Sequence, residues 1–235
     1  MTGAALTGAC ALLMGCATRT DMAFKNDADV LKGDSKPVYL MTVTLRNNFK
    51  PDYQPKLEEV NVKRDGGRQQ PDERLDFRID FKSMVDLKDA YDTTRPSSYF
   101  VRMELAPGSY EIKGLTSRTR TFWIDGLFQT PLNSPLKVDT PGVYYLGHVE
   151  ASVRQRVGNE FPAGPATPLI DQVVAGASPG TFVVKISDQF EQDEPAFRKR
   201  FPALNDVPIT KAILPPFDRA KAQANFMPFG ARPAK

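Results

Sequence analysis

Leu75-Asp76-Phe77-Arg78-Ile79-Asp80-Phe81-Lys82 alternates apolar and charged side chains without a break. As a strand, this stretch buries four apolar groups on one face and leaves four charges in water, whereas a helix scatters both sets. Its neighbours read the same way. Val38–Arg46 (VYLMTVTLR) is rich in β-branched and aromatic residues and apolar on both faces, as an interior strand is. Leu57–Arg64 places Val60 and Val62 on one face, and Asp65-Gly66-Gly67-Arg68 supplies a turn. Tyr99–Leu105 alternates Tyr99, Val101, Met103 and Leu105 against Arg102 and Glu104. It then meets Ala106-Pro107-Gly108, the residues of a type II turn, and Tyr110–Lys113 is expected to leave that turn as the partner strand of a hairpin.

Thr119–Ile124 and Leu136–Val138 are shorter strand candidates. Thr140-Pro141-Gly142-Val143-Tyr144 repeats the Pro-Gly-x-Tyr pattern and opens Val143–Val157, a long strand or a bent pair. A loop with four prolines follows, holding one helical turn at Leu169–Val174, and Thr181–Ser187 is the last strong strand. The one clear helix starts near Asp193, with Pro195 in its first turn, acids before it and Arg198-Lys199-Arg200 at its end; Pro202 stops it. Phe197 and Phe201 lie four apart on one face of that helix, and Ile209–Leu214 is a short edge strand. About eight strands, with no helices long enough for βαβ crossovers, predict a mainly β chain: an antiparallel β-sandwich with one C-terminal helix and an extended basic tail.

Composition narrows the chemistry. The 235 residues are 41% hydrophobic and 25% charged, an ordinary globular make-up. A formal charge of +3, from 31 basic and 28 acidic residues, gives no reason to expect nucleic acid as a partner. There are two cysteines and one histidine, His148, and no P-loop, dinucleotide fingerprint or G-x-S-x-G elbow. A triad on His148 needs a hydroxyl and an acid brought from elsewhere, and the residue sits in a strand. From Arg198 to the end there are eight basic and two acidic residues, so the tail is basic. No catalytic residue, cofactor or metal ligand is assigned.

Residues 1–15 carry no charge and end at Leu13-Met14-Gly15-Cys16. This is a lipobox pattern: a short apolar core, a small residue for the peptidase, and a thiol to take a diacylglyceryl group. By resemblance to bacterial lipoproteins, cleavage leaves Cys16 as the lipidated N-terminus. No Lys or Arg precedes the apolar run, so Met1 is expected to be an internal start with residues upstream. The expected organisation is a signal peptide over 1–15, a tether over 16–37, a β-sandwich with its helix over 38–204, and an edge strand with basic tail over 205–235.

Leu105-Ala106-Pro107-Gly108-Ser109-Tyr110 and Pro141-Gly142-Val143-Tyr144 resemble the L-x-P-G-x-Y device of transthyretin-like (prealbumin-like) sandwiches. With the lipobox, Tyr39–Leu45, Pro168–Gln172, Gly180-Thr181, Asp188, Asp193, Phe197, Phe201 and Pro202, the chain is similar to a family of uncharacterised proteobacterial lipoproteins carrying such a domain. That resemblance implies a fold and an address, with no catalytic residues to carry over. Ala17 is not the Asp that favours inner-membrane retention, so the resemblance implies the outer membrane, facing the periplasm.

The leading expectation is a non-enzymatic, lipid-anchored binding module for an envelope protein or a cell-wall polymer. Tyr99 beside Phe100, and Trp123 beside Phe122, are its candidate aromatic platform, a core role being the competing reading. The competing class is a metal-assisted hydrolase using the carboxylates of Asp188, Glu191, Asp193 and Glu194. These acids lack the glycine-punctuated spacing of a calcium loop, and a helix start attracts acids anyway.

Overall fold

The computed structural model describes residues 17–31, 36–67, 72–90, 92, 94–138, 140–165 and 170–225. The expected signal segment and Cys16 lie outside the described residues. The chain is mainly β. Its strands are β1 (Thr18–Asp21), β2 (Val38–Asn47), β3 (Lys56–Arg64), β4 (Glu73–Arg78), β5 (Ser97–Glu104), β6 (Gly108–Arg120), β7 (Asp125–Val138), β8 (Val143–Gln155), β9 (Gly180–Ser187) and β10 (Ile209–Lys211). Its helices are α1 (Ile170–Val174), α2 (Phe190–Arg200) and α3 (Arg219–Asn225).

Two mixed sheets form. The first runs β1-β4-β3-β6-β7; the second runs β10-β8-β2-β5, with β9 also on β8. An antiparallel fold was expected because crossover helices are missing. Yet β2 pairs parallel with β8, as do β1 with β4 and β10 with β8. The crossover from β2 to β8 is made by the strands between them, β3 to β7, so a parallel pair forms without a helix.

The facing sides of the sheets share one apolar core: Val60, Val62, Phe77, Ile112 and Phe128 from the first, Met41, Val43, Leu45, Val101 and Val149 from the second. The second sheet is covered on its other side too. There Val38, Leu40, Phe100, Val143 and Tyr145 pack under Phe24, Phe197, Phe201 and Leu204. This is why β2 is apolar on both faces, and the α2 pair Phe197 and Phe201 caps it as their spacing predicts. The Phe100 and Phe197 ring centroids are 4.6 Å apart.

Local chemistry explains where the sequence reading departs from the structure. The alternating run stops as a strand at Arg78, because Asp80 caps a one-turn 3-10 helix, Phe81–Ser83, and its carboxylate takes the Ser83 N–H at 2.8 Å. Phe81 is therefore exposed instead of buried. The expected hairpin is also absent: β5 belongs to the second sheet and β6 to the first, so Ala106-Pro107 carries the chain across the core. Both Pro-Gly-x-Tyr repeats work alike. Tyr110 donates to Ala106 O at 2.8 Å, and the Tyr144 hydroxyl lies 2.6 Å from Thr140 Oγ1. A Cβ on Gly142 would stand 3.3 Å from the Tyr144 ring, and one on Gly108 would stand 3.3 Å from Arg64 Nε.

The described residues at the start of the segment expected to be a tether, 17–24, are part of the body. Thr18–Asp21 pairs with β4, Met22 and Phe24 are buried, and Ala23 N–H donates to Arg102 O at 2.9 Å. Two well-placed apolar side chains suffice once the backbone is paired. Helix α2 begins at Phe190, three residues before the expected start, because Asp188 accepts the Phe190 N–H at 3.0 Å; Pro195 sits inside it. The basic tail is not wholly extended, since α3 packs against β7. Glu160 holds α3 in place, taking Arg154 at 2.5 Å and Arg219 at 2.7 Å, and these arginines with the Val157 N–H hold its carboxyl down to about 2.

Phe197→Ala removes a fully buried ring at the centre of the outer layer and is expected to cost about 3–5 kcal/mol. The urea midpoint of unfolding measures it, and a loss under about 1 kcal/mol would contradict this packing.

Candidate functional site

The two proposed aromatic pairs part company. Tyr99 and Phe100 are buried on opposite sides of β5, 1% and 5% exposed. Phe122 and Trp123 stand in water at the turn between β6 and β7, 85% and 82% exposed. Tyr99 is thus a core residue and forms no platform with Trp123. The turn is closed by Thr121 N–H donating to Ile124 O at 2.8 Å and Ile124 N–H donating to Thr121 Oγ1 at 3.2 Å. The two rings meet edge to face at 4.5 Å, a favoured aromatic geometry. Helix α1 stands beside this finger, its Asp171 accepting the Asp125 N–H at 3.3 Å, and it adds the exposed Ile170 and Val173.

A polar cluster lies on the outer side of the second sheet. Tyr145 donates to Asp193 Oδ2 at 2.6 Å. His148 Nδ1 lies 3.3 Å from the same oxygen, and its Nε2 lies 2.9 Å from Thr44 Oγ1, itself 2.8 Å from Ser98 Oγ. So α2 brings the acid, and β2 the hydroxyl, that a triad on His148 requires. The resemblance is partial. The Nδ1 approach falls short of hydrogen-bond geometry. Thr44 lies mid-strand in register with Ser98 and Glu150, which leaves no sharp turn beside it to present an oxyanion hole.

What the arrangement does is bolt α2 to the sheet. Burial raises the Asp193 carboxyl, but His148, Tyr145 and Thr42 lower it further, so it settles below its ordinary value. Burial, and the bond to Asp193, push the Tyr145 hydroxyl up. Sequence reasoning missed this cluster because its members are far apart in the chain. The available signal was Thr42 and Thr44, two polar residues on one face of an otherwise apolar strand.

Alternation places Arg102 on the face of β5 away from Tyr99, Val101 and Met103, and there its side chain is fully buried. It donates to Asp80 Oδ2 at 2.6 Å, Ala23 O at 2.7 Å, and Ser83 Oγ and Phe100 O at 3.0 Å. Phe201 stacks its ring 4.2 Å from the guanidinium carbon. Burial pushes this guanidinium down to about 10 and Asp80 opposes it, so Arg102 stays charged at neutral pH.

The carboxylates near residue 188 are not gathered. Asp188 meets Lys211 at 3.0 Å, Glu191 meets Lys211 at 3.8 Å, Asp193 faces Tyr145, and Glu194 binds Arg198 at 2.7 Å. Among the described residues, no group of three or more His, Cys, Asp or Glu side chains converges. Comparison with known proteins finds no matching family model, no matching curated protein and no matching solved structure.

Asp193→Ala leaves the buried Tyr145 hydroxyl without its acceptor and is expected to cost about 1–3 kcal/mol. Because folding lowers the Asp193 pKa, its contribution is complete above the unfolded value of 3.8 and disappears as pH falls through the lower folded value. Urea unfolding across pH 2–6 checks this: the wild type should lose stability below about pH 4 more steeply than Asp193→Asn. Parallel profiles would contradict the assignment.

Proposed function

We propose that the chain is an envelope lipoprotein, anchored through acylated Cys16 in the outer membrane and facing the periplasm. It works as a non-enzymatic binding module that meets its partner through Phe122 and Trp123. The observation that carries this reading is the exposure of those two rings on a hydrogen-bonded turn. Large aromatics standing in water bury little surface in the free chain, and they are the side chains that dominate protein contacts when covered. The fold that goes with it is a two-sheet sandwich of the transthyretin-like kind, which the shared core and the paired Pro-Gly-x-Tyr turns support.

Strand register supports a division of labour between the two ends. Thr18 is level with Leu75, Val62 and Ile112, whereas the finger lies ten residues further along β6, about 30 Å away. Only Ala17 separates Cys16 from Thr18, so covalent reach holds the Cα of Cys16 within about 8 Å of the start of β1. With no slack between anchor and body, the finger points away from the anchoring leaflet, toward the periplasm and the cell wall.

Two measurements test the parts separately. Labelling cells with radioactive fatty acid should mark the wild type and leave Cys16→Ser unmarked; equal label contradicts the anchor. Trp123→Ala should weaken co-sedimentation with isolated envelope fractions at least tenfold and leave the unfolding midpoint unchanged, since the side chain stands in water. Equal sedimentation would remove the finger from the binding account.

A further inference from the structure

A groove of about 670 Å³ crosses the outer side of β3, β6 and β7, a size typical of small-ligand sites. Asn61, Lys63, Arg74, Lys113, Gln129 and Asn133 supply its polar groups, and the segment around Pro162–Pro165 with the end of α3 forms a wall. The backbone is shaped for it. Strand β6 bulges at Lys113, its register slipping between Ile112 and Gly114 against both neighbours, and Asn133 opposite adopts φ +50°. Such bulges re-aim side chains and concentrate beside functional sites. Gly114 is required there, because a Cβ would stand 2.2 Å from Thr130 O.

The wall is fixed in advance. Phe161 N–H donates to Gln223 Oε1 at 2.7 Å, Gln223 Nε2 donates to Asn159 O at 2.9 Å, and Lys221 Nζ donates to Asn133 O at 2.6 Å. A ligand entering such a groove orders little on arrival.

Its charged lining residues are cations, each paired with a carboxylate at the rim. Lys63, Arg74 and Lys113 line it, and no carboxylate is among the lining residues. Their acidic partners stand outside: Asp72 at 2.5 Å from Lys63, Glu111 at 3.1 Å from Lys113, and Asp76 at a long 4.0 Å from Arg74. Each cation keeps donors beyond these contacts, Arg74 most of all, with its side chain 63% exposed. The amides of Gln129 and Asn225 add both donors and acceptors, which suits hydroxyl groups. Strand addition by a peptide is blocked at the β7 edge, where Gln129 N–H already donates to Ala163 O at 2.7 Å.

We propose that this groove binds an acidic glycan, its carboxylate or phosphate held by Arg74, Lys63 and Lys113 and its hydroxyls by the neighbouring amides. The site stands independently of the aromatic finger.

Titration calorimetry on the full chain tests it with four probes: a tetra-galacturonate, its methyl ester, a phosphorylated mannan tetramer and penta-glutamate. The expected result is binding of one or both acidic sugars, weakened by salt, lowered at least tenfold in Arg74→Ala and unchanged in Trp123→Ala. Which acidic sugar binds tells carboxylate from phosphate. Equal binding of the ester, equal or tighter binding of penta-glutamate, no binding of either acidic sugar, or an Arg74→Ala variant that binds as wild type would each overturn the proposal. A Trp123→Ala variant that loses envelope binding but keeps the sugar separates the two sites.

Discussion

Burial of the second sheet on both faces is the constraint from which the rest of the molecule follows. A sheet covered on one side can turn its polar side chains to water; one covered on both sides cannot. Where α2 and the segment after β1 cover the outer side of β2, β5 and β8, a polar group must find a partner inside the protein or cost the chain its desolvation. Arg102 does so through four oxygens and the Phe201 ring. Tyr145 does so through Asp193, and His148 Nε2 through Thr44. Both sets of contacts hold peripheral elements in place: the first binds the segment after β1 and the Phe81–Ser83 turn, and the second binds α2. Arg200 adds to this by donating to Lys82 O at 3.1 Å, which joins α2 to that same turn.

The same constraint sorts the surface by role. The Tyr145, Asp193, His148 and Thr44 row lies under α2 and ties that helix to the sheet. The apolar groups that remain outside are gathered in part at one end, on the finger and on α1, while the first sheet keeps an open groove on its outer side. The chain enters at the opposite end through β1, which closes the edge of the first sheet next to β4. β1 and the Phe122–Trp123 turn thus lie toward opposite ends of the first sheet.

Much of the fold is legible in the residues, and the failures share one cause. β2 reads as doubly buried, β3 and β9 fall where their patterns place them, and Phe197 with Phe201 announces the cover over the sheet. What a local pattern cannot state is which strand comes next in space. Ala106-Pro107-Gly108 looks the same whether it folds a hairpin or carries the chain from sheet to sheet. Alternation in Tyr99–Leu105 tells that Arg102 faces away from the main core, but not that a second core lies there. Thr18–Asp21 has no apolar pattern at all; its backbone is ordered by β4. Trp123 was legible as a candidate, though not as a turn residue. Thr121-Phe122-Trp123-Ile124 contains no Gly, Pro, Asn or Asp, so a hairpin tip there reads as strand. That absence is itself informative, since a turn built from such residues gives up local preference for something else.

Trp123 is the chain's one tryptophan, so its fluorescence reports the finger and nothing besides. The account predicts the red emission and ready iodide quenching of a hydrated indole in the free protein, then a blue shift and loss of quenching when isolated envelopes are added. Emission that is already blue in the free chain, or that stays red and quenchable with envelopes present, would contradict it.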